Sequence, residues 1–303
     1  MDVADIEKIL RKNGVSEETA KNSVGLLAAY FGPGEIEGFC EIQKGMTNQL
    51  FYFQCQKKEY LIRIPGKGTE YLLDRRQEAW LYQTLEGKGI TDRYIALNPD
   101  TGVKITEYIP QAHTCDIRNK AEVKACIRHL CHFHQMKLVG ESSFDVFDRL
   151  EKYEKACQHD IAGYLADYPV TRQKIERLKD AVSQMPKEKI LCHVDPVPDN
   201  FLIQSGKIYL IDWEYAAMSD PHMDIAMFCI YAGYCKSEID EVIDFYFKEG
   251  CVEDVRKKIY GYVAACGLLW TVWCEIKRDA GILFEEYEKV QYQYAKDYCD
   301  LVI

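Results

Sequence analysis

The chain has 303 residues, which is too many for one small core and suits two lobes or two domains. Hydrophobic residues make up 48% and charged residues 28% of the sequence, as in an ordinary soluble globular protein. The formal net charge of -10 argues against a protein that binds nucleic-acid phosphates, because such a protein needs basic patches. A negative field instead attracts a small cationic substrate.

The 13 cysteines indicate a reducing compartment. They are scattered, their number is odd and no C-x-x-C pair occurs, so we expect free thiols in the cytoplasm. The start MDVADIEKIL is acidic and amphipathic, unlike a secretory signal, and no uninterrupted apolar run approaches the length that spans a bilayer. We therefore expect a cytoplasmic protein with a small-molecule substrate, without nucleic acid and without membrane insertion.

Two helices are predicted at the start, over residues 4–12 and 17–31. Asn13-Gly14 ends the first, and Ser16 is the expected N-cap of the second. This pair either pads the first lobe or forms a subunit contact, so the expected state is a monomer or a homodimer.

Short strands follow. The runs EGFCEI, QLFYFQC and EYLIRI are aromatic and β-branched, which predicts a three-strand meander. The segment YLLDRRQEAWLYQTLEGKG predicts a helix that stops at Gly87, and RYIALNPDTGVKITEYI predicts a hairpin.

After Pro110 the pattern is almost entirely helical, except for a second hairpin in NFLIQSGKIYLID. Strands with one helix, followed by helices with one hairpin, predict an α+β fold in two lobes. We expect an N-terminal nucleotide-binding lobe over residues 1–109, with extra leading helices, and a helical C-terminal lobe over residues 110–303.

The stretch LCHVDPVPDNFLI places polar groups between apolar flanks. His193 is followed by Asp195 and Asn200, and Asp212 lies across the next hairpin. The prolines disfavour a helix, so we expect a rigid loop leading into a hairpin that brings Asn200 and Asp212 side by side. Their oxygens suit a Mg²⁺ ion that holds nucleotide phosphates, while Asp195 can orient a hydroxyl and take its proton. This is the protein-kinase arrangement for phosphoryl transfer; the alternative is a solvated loop with helix-capping acids.

The first lobe carries a candidate nucleotide site. Gly45, Thr47 and Asn48 lie at the tip of a turn in QKGMTNQLF whose backbone N–H groups can cover phosphates, although most such turns are plain hairpins. The hinge is predicted in ITEYIP, where the backbone from Glu107 to Ile109 can pair with adenine.

Arg63 lies inside the apolar strand YLIRI and needs a partner. Glu78, in the following helix, is the natural candidate. The pair repeats the strand cation and helix carboxylate of kinases, with Arg where protein kinases have Lys. The alternative is a surface Arg on an edge strand.

Aromatic residues near the C-terminus can wall a pocket for a quaternary ammonium. Trp270 and Trp273 are three residues apart on one helix face, and Tyr287 follows. Helix spacing alone favours core packing for such a pair.

Asp224 lies in the first turn of a helix in which Asp220 is the expected N-cap and Pro221 the first residue. It either supports the catalytic loop from below or is a plain acidic residue favoured by the helix dipole. The segment CIRHLCHFH has the composition of a zinc site, but its side chains point in several directions on a helix, and we interpret it as an ordinary helix.

These motifs resemble those of the choline/ethanolamine kinases, in the aminoglycoside phosphotransferase and protein-kinase-like superfamily. The resemblance covers residues 36–303 and is closest to bacterial choline kinases that serve phosphorylcholine decoration of the cell surface. It is carried by KGMTNQ, GKGTE with RRQE, CHVDPVPDNF, YLIDWEYAAMSDP, and WTVW with Tyr287. It implies a two-lobed protein-kinase-like fold.

The resemblance also implies roles for the phosphoryl-transfer residues. We expect the catalytic residues to be His193, Asp195, Asn200 and Asp212. Asp195 corresponds to the catalytic base, and Asn200 and Asp212 correspond to the Mg²⁺ ligands. Glu214 is implied to lie near the amine.

For the amine, the resemblance implies an aromatic cage of Trp270, Trp273 and Tyr287, which replaces the core-packing interpretation. The chain departs from the family pattern at Tyr231, where the helix usually carries a Glu. A carboxylate near the cation is lost there, or an aromatic wall is gained.

The implied reaction is transfer of the γ-phosphate of ATP, with Mg²⁺, to the hydroxyl of choline, which gives phosphocholine and ADP. Other acceptors remain open, such as ethanolamine, an aminoglycoside or thiamine, and so does a non-catalytic nucleotide-binding regulator. The tryptophan pair favours a methylated ammonium over a primary amine.

Overall fold

The structure is a computed structural model that describes residues 1–32, 34–42, 48–66 and 75–303. The chain divides into two units. The first unit contains Met1–His113 and Leu202–Tyr215, and the second contains Thr114–Phe201 and Ala216–Ile303.

The two leading helices form as the sequence predicts. Helix α1 spans Val3–Lys12 and α2 spans Glu17–Tyr30, and the side chain of Ser16 accepts a hydrogen bond from the backbone N–H of Thr19 as an N-cap. Their apolar residues are buried in one cluster with side chains of the following sheet; this cluster includes Ile6, Leu10, Leu27, Phe51, Phe53 and Ile62. The helices therefore contribute to the core of the first unit.

A five-stranded antiparallel sheet forms the rest of that core, in the order β1-β2-β3-β5-β4. Its strands are β1 (Ile36–Ile42), β2 (Gln49–Cys55), β3 (Lys58–Ile64), β4 (Tyr94–Leu97) and β5 (Lys104–Glu107). The predicted meander and the first predicted hairpin are both present. Gln56 and Lys57 connect β2 to β3 with positive φ at both positions, which matches the twist of a tight hairpin.

Helix α3 spans Arg75–Leu85, and the first part of the predicted helix lies outside the described residues. The β4–β5 turn approaches it closely at Gly102, which has a φ of +71°. A Cβ atom there would lie 2.6 Å from Nε of Arg75, so a side chain at this position would strain the backbone and displace the side chain of Arg75.

The second predicted hairpin is formed by β8 (Phe201–Gln204) and β9 (Lys207–Leu210). The sequence assigned it to the second lobe, whereas residues from Leu202 to Tyr215 group with the first unit. The reason lies in contacts that adjacent sequence cannot reveal: Leu210 N donates to the backbone oxygen of Ile90 at 2.8 Å, and Trp213 Nε1 donates to Thr91 Oγ1 at 2.9 Å.

The second unit is mostly helical, as expected. Its helices are α4 (Lys120–Gln135), α5 (Val146–Ala156), α6 (Tyr168–Ser183), α7 (Pro221–Tyr231), α8 (Lys236–Tyr246), α9 (Glu253–Asp279) and α10 (Glu285–Cys299). The short strand β6 (His113–Thr114) lies where the chain passes from the first unit to the second. The sequence missed a two-stranded antiparallel sheet of β7 (Ile190–Cys192) and β10 (Ala217–Ser219). Both strands have three residues and are buried throughout, so they lack the alternation that identifies a half-buried strand.

Helix α9 is the central helix of the second unit and packs against α5, α6, α7 and α10. By length and composition alone it could cross a membrane, but 83% of its most apolar 18-residue stretch is buried inside the structure. Its contact with α10 is close at Gly267, where a Cβ atom would lie 2.6 Å from the backbone oxygen of Gln291.

Candidate active site

The polar loop predicted from LCHVDPVPDNFLI lies directly after β7. Val197 N donates to the backbone oxygen of Asp195 at 2.8 Å, and a 3₁₀ turn spans Pro198–Asn200. The side-chain Nδ2 of Asn200 donates to the same oxygen at 2.9 Å. The structure thus brings together Asp195 and Asn200, and this bond leaves Oδ1 as the acceptor atom of the Asn200 amide.

Asp224 holds the start of this loop. It is fully buried, and its carboxylate accepts hydrogen bonds from the backbone N–H groups of His193 at 2.8 Å and Val194 at 2.9 Å. Val194 has a φ of +72°, a conformation that costs a β-branched residue about 1–3 kcal/mol. The interpretation that Asp224 supports the loop from below is confirmed.

His134 extends this buried network. Its Nε2 lies 3.0 Å from Oδ2 of Asp224, and its Nδ1 lies 2.8 Å from the hydroxyl of Tyr246. A neutral ring with its proton on Nε2 satisfies both contacts, donating to the carboxylate and accepting from the phenol. The sequence showed His134 only within a segment of zinc-like composition, because its partners are about 90 and 112 residues away.

Four aromatic residues of the second unit form two pairs of rings in contact. The rings of Trp270 and Trp273 are 5.4 Å apart at 75°, and those of Tyr231 and Tyr287 are 6.2 Å apart at 64°. Both tryptophans are half-buried on α9, which does not fit a pair packed wholly inside a core. Nε1 of Trp270 is 3.0 Å from Sδ of Met227, so one indole is also fixed by a polar contact.

The charge of Asp195 acts on the tyrosine pair. Burial raises the pKa of Tyr231 to about 12, and the negative charges of Asp195 and Asp199 add to the effect. Burial also raises the pKa of Tyr287, with Tyr231 and Asp195 among the contributing groups. The candidate base and the tyrosines of the predicted cage therefore lie within electrostatic reach of one another.

In the first unit, Arg63 is the centre of a buried ion cluster. It lies on β3, between β2 and β5, and is 5% exposed, so the edge-strand alternative is wrong. Its Nη2 donates to both carboxylate oxygens of Glu78, at 2.8 and 2.9 Å. Its Nη1 contacts the carboxylate of Asp212 and, at 3.1 Å, that of Glu214. The expected pair of Arg63 and Glu78 is present.

Two further cations that the sequence analysis missed complete this cluster. Lys104 Nζ donates to Glu78 at 3.0 Å and to the hydroxyl of Tyr82 at 2.7 Å, and Arg75 Nη1 donates to Glu214 at 2.9 Å and to Glu78 at 3.2 Å. The register of β3 and β5 sets Arg63 opposite Lys104. Two buried cations that lie opposite each other in a sheet require carboxylates between them. The sequence does not show that Arg63 and Lys104 are opposite each other, because this depends on the register of the two strands.

The cations keep Glu78 ionised. Burial alone raises its pKa, but the charges of Arg63, Lys104 and Arg75 outweigh this and lower the pKa from 4.5 to about 2. Glu214 shows the opposite balance, since burial and the nearby charge of Asp212 raise its pKa despite both arginines.

Because the pKa of Glu78 is lowered on folding, its ionised carboxylate stabilises the folded protein in a pH-dependent way. This stabilisation is fully present above pH 4.5, the pKa in the unfolded chain, and is lost as the pH falls toward 2. We expect the stability advantage of the wild type over Glu78→Gln, measured by urea unfolding, to be about 1–2 kcal/mol smaller at pH 3.5 than at pH 7. Glu86→Gln, at an exposed position just beyond α3, should change stability by less than about 0.5 kcal/mol at both pH values. A pH-independent advantage would contradict the assignment.

The remaining predicted site residues are placed as follows. Gly45 and Thr47 lie outside the described residues, while Asn48 Oδ1 accepts from the backbone N–H of Gly66 at 3.3 Å. In the predicted hinge, Glu107 N donates to the backbone oxygen of Arg93 and Ile109 O accepts from Ala112 N, so these two groups are already paired. The contacts of these segments with a nucleotide stay predictions.

Asp212 and Glu214 belong to the first unit. Asp212 is the second residue after the end of β9 and has a φ of +66°, and its carboxylate contacts Arg63. Glu214, implied by the resemblance to lie near the amine, is 6% exposed and its Oε2 accepts from both Arg63 and Arg75. Its role toward the amine stays a prediction.

Comparison with known proteins decides the family. Residues 39–241 match the family model described as choline/ethanolamine kinase. The chain belongs to the choline/ethanolamine kinase family. The chain is 26% identical to protein LicA of Haemophilus influenzae over 284 residues, which covers 87% of this chain and 83% of the relative.

Solved structures agree with this family assignment. The choline kinase LicA from Streptococcus pneumoniae has 25% identity and a TM-score of 0.79, over 94% of this chain and all of that one. A structure of LicA in complex with AMP has 26% identity and a TM-score of 0.78, over 92% of this chain and 97% of that one. The predicted α+β fold of the protein-kinase-like class is confirmed, and the kinase has a small-molecule substrate as members of its family do.

Proposed function

We propose that this family member is a choline kinase, which transfers the γ-phosphate of ATP to the hydroxyl of choline and releases phosphocholine and ADP. The observation that carries the proposal is that the loop of Asp195 and the two aromatic pairs, Trp270 with Trp273 and Tyr231 with Tyr287, belong to the same unit. The negative charge of Asp195 also contributes to the raised pKa of both tyrosines. A base and a cation-binding wall in one unit suit an acceptor that has a hydroxyl at one end and an ammonium at the other.

Asp195 is the proposed general base. Its carboxylate accepts a hydrogen bond from the choline hydroxyl, aims the oxygen at the γ-phosphorus, and takes the proton as the new O–P bond forms. The loop does not need to reorganise during this step, because Asp224 fixes its first two amides and Asn200 fixes its backbone oxygen.

The proposed site for the ammonium group is formed by Trp270, Trp273, Tyr231 and Tyr287. Aromatic faces attract cations by about 0.5–2 kcal/mol per ring. Trp273 already has a cation over its ring, since Lys277 Nζ lies 5.2 Å from the ring centroid. In this arrangement Tyr231 adds an aromatic wall where a carboxylate would favour a primary amine.

For the nucleotide, we propose ATP bound with Mg²⁺. Asn200 and Asp212 are the proposed metal ligands, because an amide oxygen and a carboxylate are the hard donors that Mg²⁺ prefers. Asn200 fits this role through Oδ1, the acceptor atom of its amide, because Nδ2 donates to the backbone oxygen of Asp195. When bound, Mg²⁺ neutralises charge on the phosphates. Arg63 supplies the fixed positive charge beside Asp212, and Gly45, Thr47, Asn48, Glu107 and Ile109 are the proposed nucleotide contacts.

We place the reaction in the cytoplasm. All 13 cysteines are free thiols, which fits a reducing compartment.

An ADP-release assay with a panel of acceptors tests the proposal. The panel contains choline, ethanolamine, thiamine, an aminoglycoside and 3,3-dimethylbutanol, which is choline with carbon in place of nitrogen. We expect the highest kcat/KM for choline and a large loss for its neutral isostere, which has the same shape but no charge. A higher kcat/KM for ethanolamine than for choline would mean that choline is not the preferred acceptor. If no compound of the panel supported ADP release, the protein would be a non-catalytic nucleotide-binding protein.

Trp273→Ala tests the aromatic cage. Loss of one cation–π partner should raise KM for choline by about 2- to 30-fold and change KM for ethanolamine less. Trp80→Ala is the matched control, since that tryptophan is 38% exposed on α3. Unchanged kinetics for both amines in Trp273→Ala would remove this residue from the cage.

A further inference from the structure

A cluster of side chains that could ligate a metal lies where the end of α5 meets the end of α9. Cys157 is the C-cap of α5, His159 follows two residues later, and Asp279 is the last residue of α9. Their ligand atoms, a thiol sulfur, an imidazole nitrogen and a carboxylate oxygen, all lie within 4.8 Å of one another.

The distances between the ligand atoms can be compared with those around a single metal ion. Sγ of Cys157 is 3.7 Å from Nδ1 of His159, and that nitrogen is 2.7 Å from Oδ1 of Asp279. Ligands about 2.0–2.3 Å from a tetrahedral zinc ion lie about 3.3–3.7 Å apart, so the sulfur–nitrogen distance already fits. The nitrogen–oxygen contact is a hydrogen bond that has to lengthen by about 0.6 Å when the ion enters. The side chains of His159 and Asp279 are 21% and 14% exposed, so an ion can reach them from solvent.

Neighbouring groups hold two of these side chains in orientation. Nε2 of His159 pairs with the carboxylate of Glu275, which is fully buried in α9. Histidine ligands of metals commonly direct their second nitrogen to a carboxylate in this way. Oδ2 of Asp279 accepts from the backbone N–H of Gln158 at 2.7 Å, which directs Oδ1 toward the histidine.

We propose that Cys157, His159 and Asp279 form a zinc site, with Glu275 orienting His159. A thiolate and an imidazole beside one carboxylate are donors for zinc, whereas Mg²⁺ and Ca²⁺ select oxygen donors. Coordination replaces the thiol proton and any proton on Nδ1, while Nε2 keeps its proton and donates it to Glu275. Three protein ligands leave a fourth position for water, and the ion ties the segment after α5 to α9.

An ion pair of His159 with its two carboxylates is the competing explanation of the same geometry. The two explanations differ at Cys157, because only a metal site replaces the thiol proton and gives a thiolate-to-metal spectroscopic signature. A second cluster of His134, Cys192 and Asp224 is less suited to a metal. Its Asp224 already accepts two backbone hydrogen bonds and contacts His134.

Cobalt titration of the full-length protein tests the site, without nucleotide or magnesium, so that the outcome is independent of kinase activity. Co²⁺ is a coloured substitute for Zn²⁺, and a cysteine ligand gives a thiolate-to-cobalt charge-transfer band. We expect one equivalent to produce this band and Zn²⁺ to displace it. Cys157→Ser should abolish the band, and Glu275→Gln should weaken Co²⁺ binding by about 10–100-fold.

Matched controls separate this site from the other thiols. Cys40→Ser, at an exposed cysteine of β1, should retain the full band. Zn²⁺ should raise the melting temperature of the wild type and of Cys40→Ser but not of Cys157→Ser or His159→Asn, and circular dichroism of each variant without metal establishes that it is folded. Absence of the band in the wild type would overturn the proposal. So would a band that persists in folded Cys157→Ser or that is lost only in Cys192→Ser.

Discussion

Asp195→Asn is expected to lower kcat for choline phosphorylation by about 10²–10⁴-fold, because the amide cannot take the proton of the attacking hydroxyl. The substitution keeps the size of the side chain, and the loop is fixed through Asp224 and Asn200 and not through this carboxylate alone. Nucleotide affinity should therefore remain within about threefold of the wild type. Initial rates of ADP release and a fluorescent-nucleotide titration measure the two quantities.

Asp199→Asn is the matched control for this experiment. Asp199 lies in the same loop and is exposed, and its replacement removes the same charge close to the same tyrosines. We expect kcat to stay within about threefold of the wild type in this variant, since an exposed charge is screened by solvent. If Asp195→Asn turned over at a similar rate to Asp199→Asn, Asp195 would not be the base.

Asp224→Ala should destabilise the protein by about 3–5 kcal/mol and also lower kcat. Removal of the carboxylate leaves two buried backbone N–H groups and His134 without their acceptor, and Val194 loses the bonds that hold its positive φ. Urea unfolding gives the stability, and initial rates at a temperature where the variant is folded give kcat.

The control for Asp224 is an acidic residue that also lies in the first turn of a helix and is exposed to solvent. Asp254 is exposed in the first turn of α9, and Asp254→Ala should cost less than about 1 kcal/mol and leave kcat unchanged. An equally small effect of Asp224→Ala would mean that its hydrogen bonds to the loop contribute little, and that the loop keeps its conformation by other means.

Local sequence was enough to predict the elements that have a strong period or clear ends. The leading helices follow from their capping residues, the meander from its short aromatic and β-branched runs, and the β4–β5 hairpin from the turn residues NPDTG, and all are present. The strands β7 and β10 could not be predicted in this way, because three buried residues carry no period.

The candidate site was predictable where one motif contains the interacting residues. Asp195 and Asn200 are five residues apart and do interact. The parts that the sequence missed depend on distant partners: Lys104 joins the cluster through its register with Arg63, and His134 reaches Asp224 from another helix. The positive φ of Val194 also leaves no trace in composition, because a β-branched residue is a poor choice for it.

The close approach of α9 and α10 at Gly267 has a consequence for substrate range. Gly267 lies one helical turn before Trp270, and the residue that it contacts, Gln291, lies one turn after Tyr287. A larger residue at position 267 would push the tyrosine-bearing helix outward and widen the proposed aromatic wall without altering any group proposed to contact the acceptor. If the proposed acceptor site is correct, the size of alcohol that this kinase accepts is tunable, in evolution or by design, through a residue outside that site.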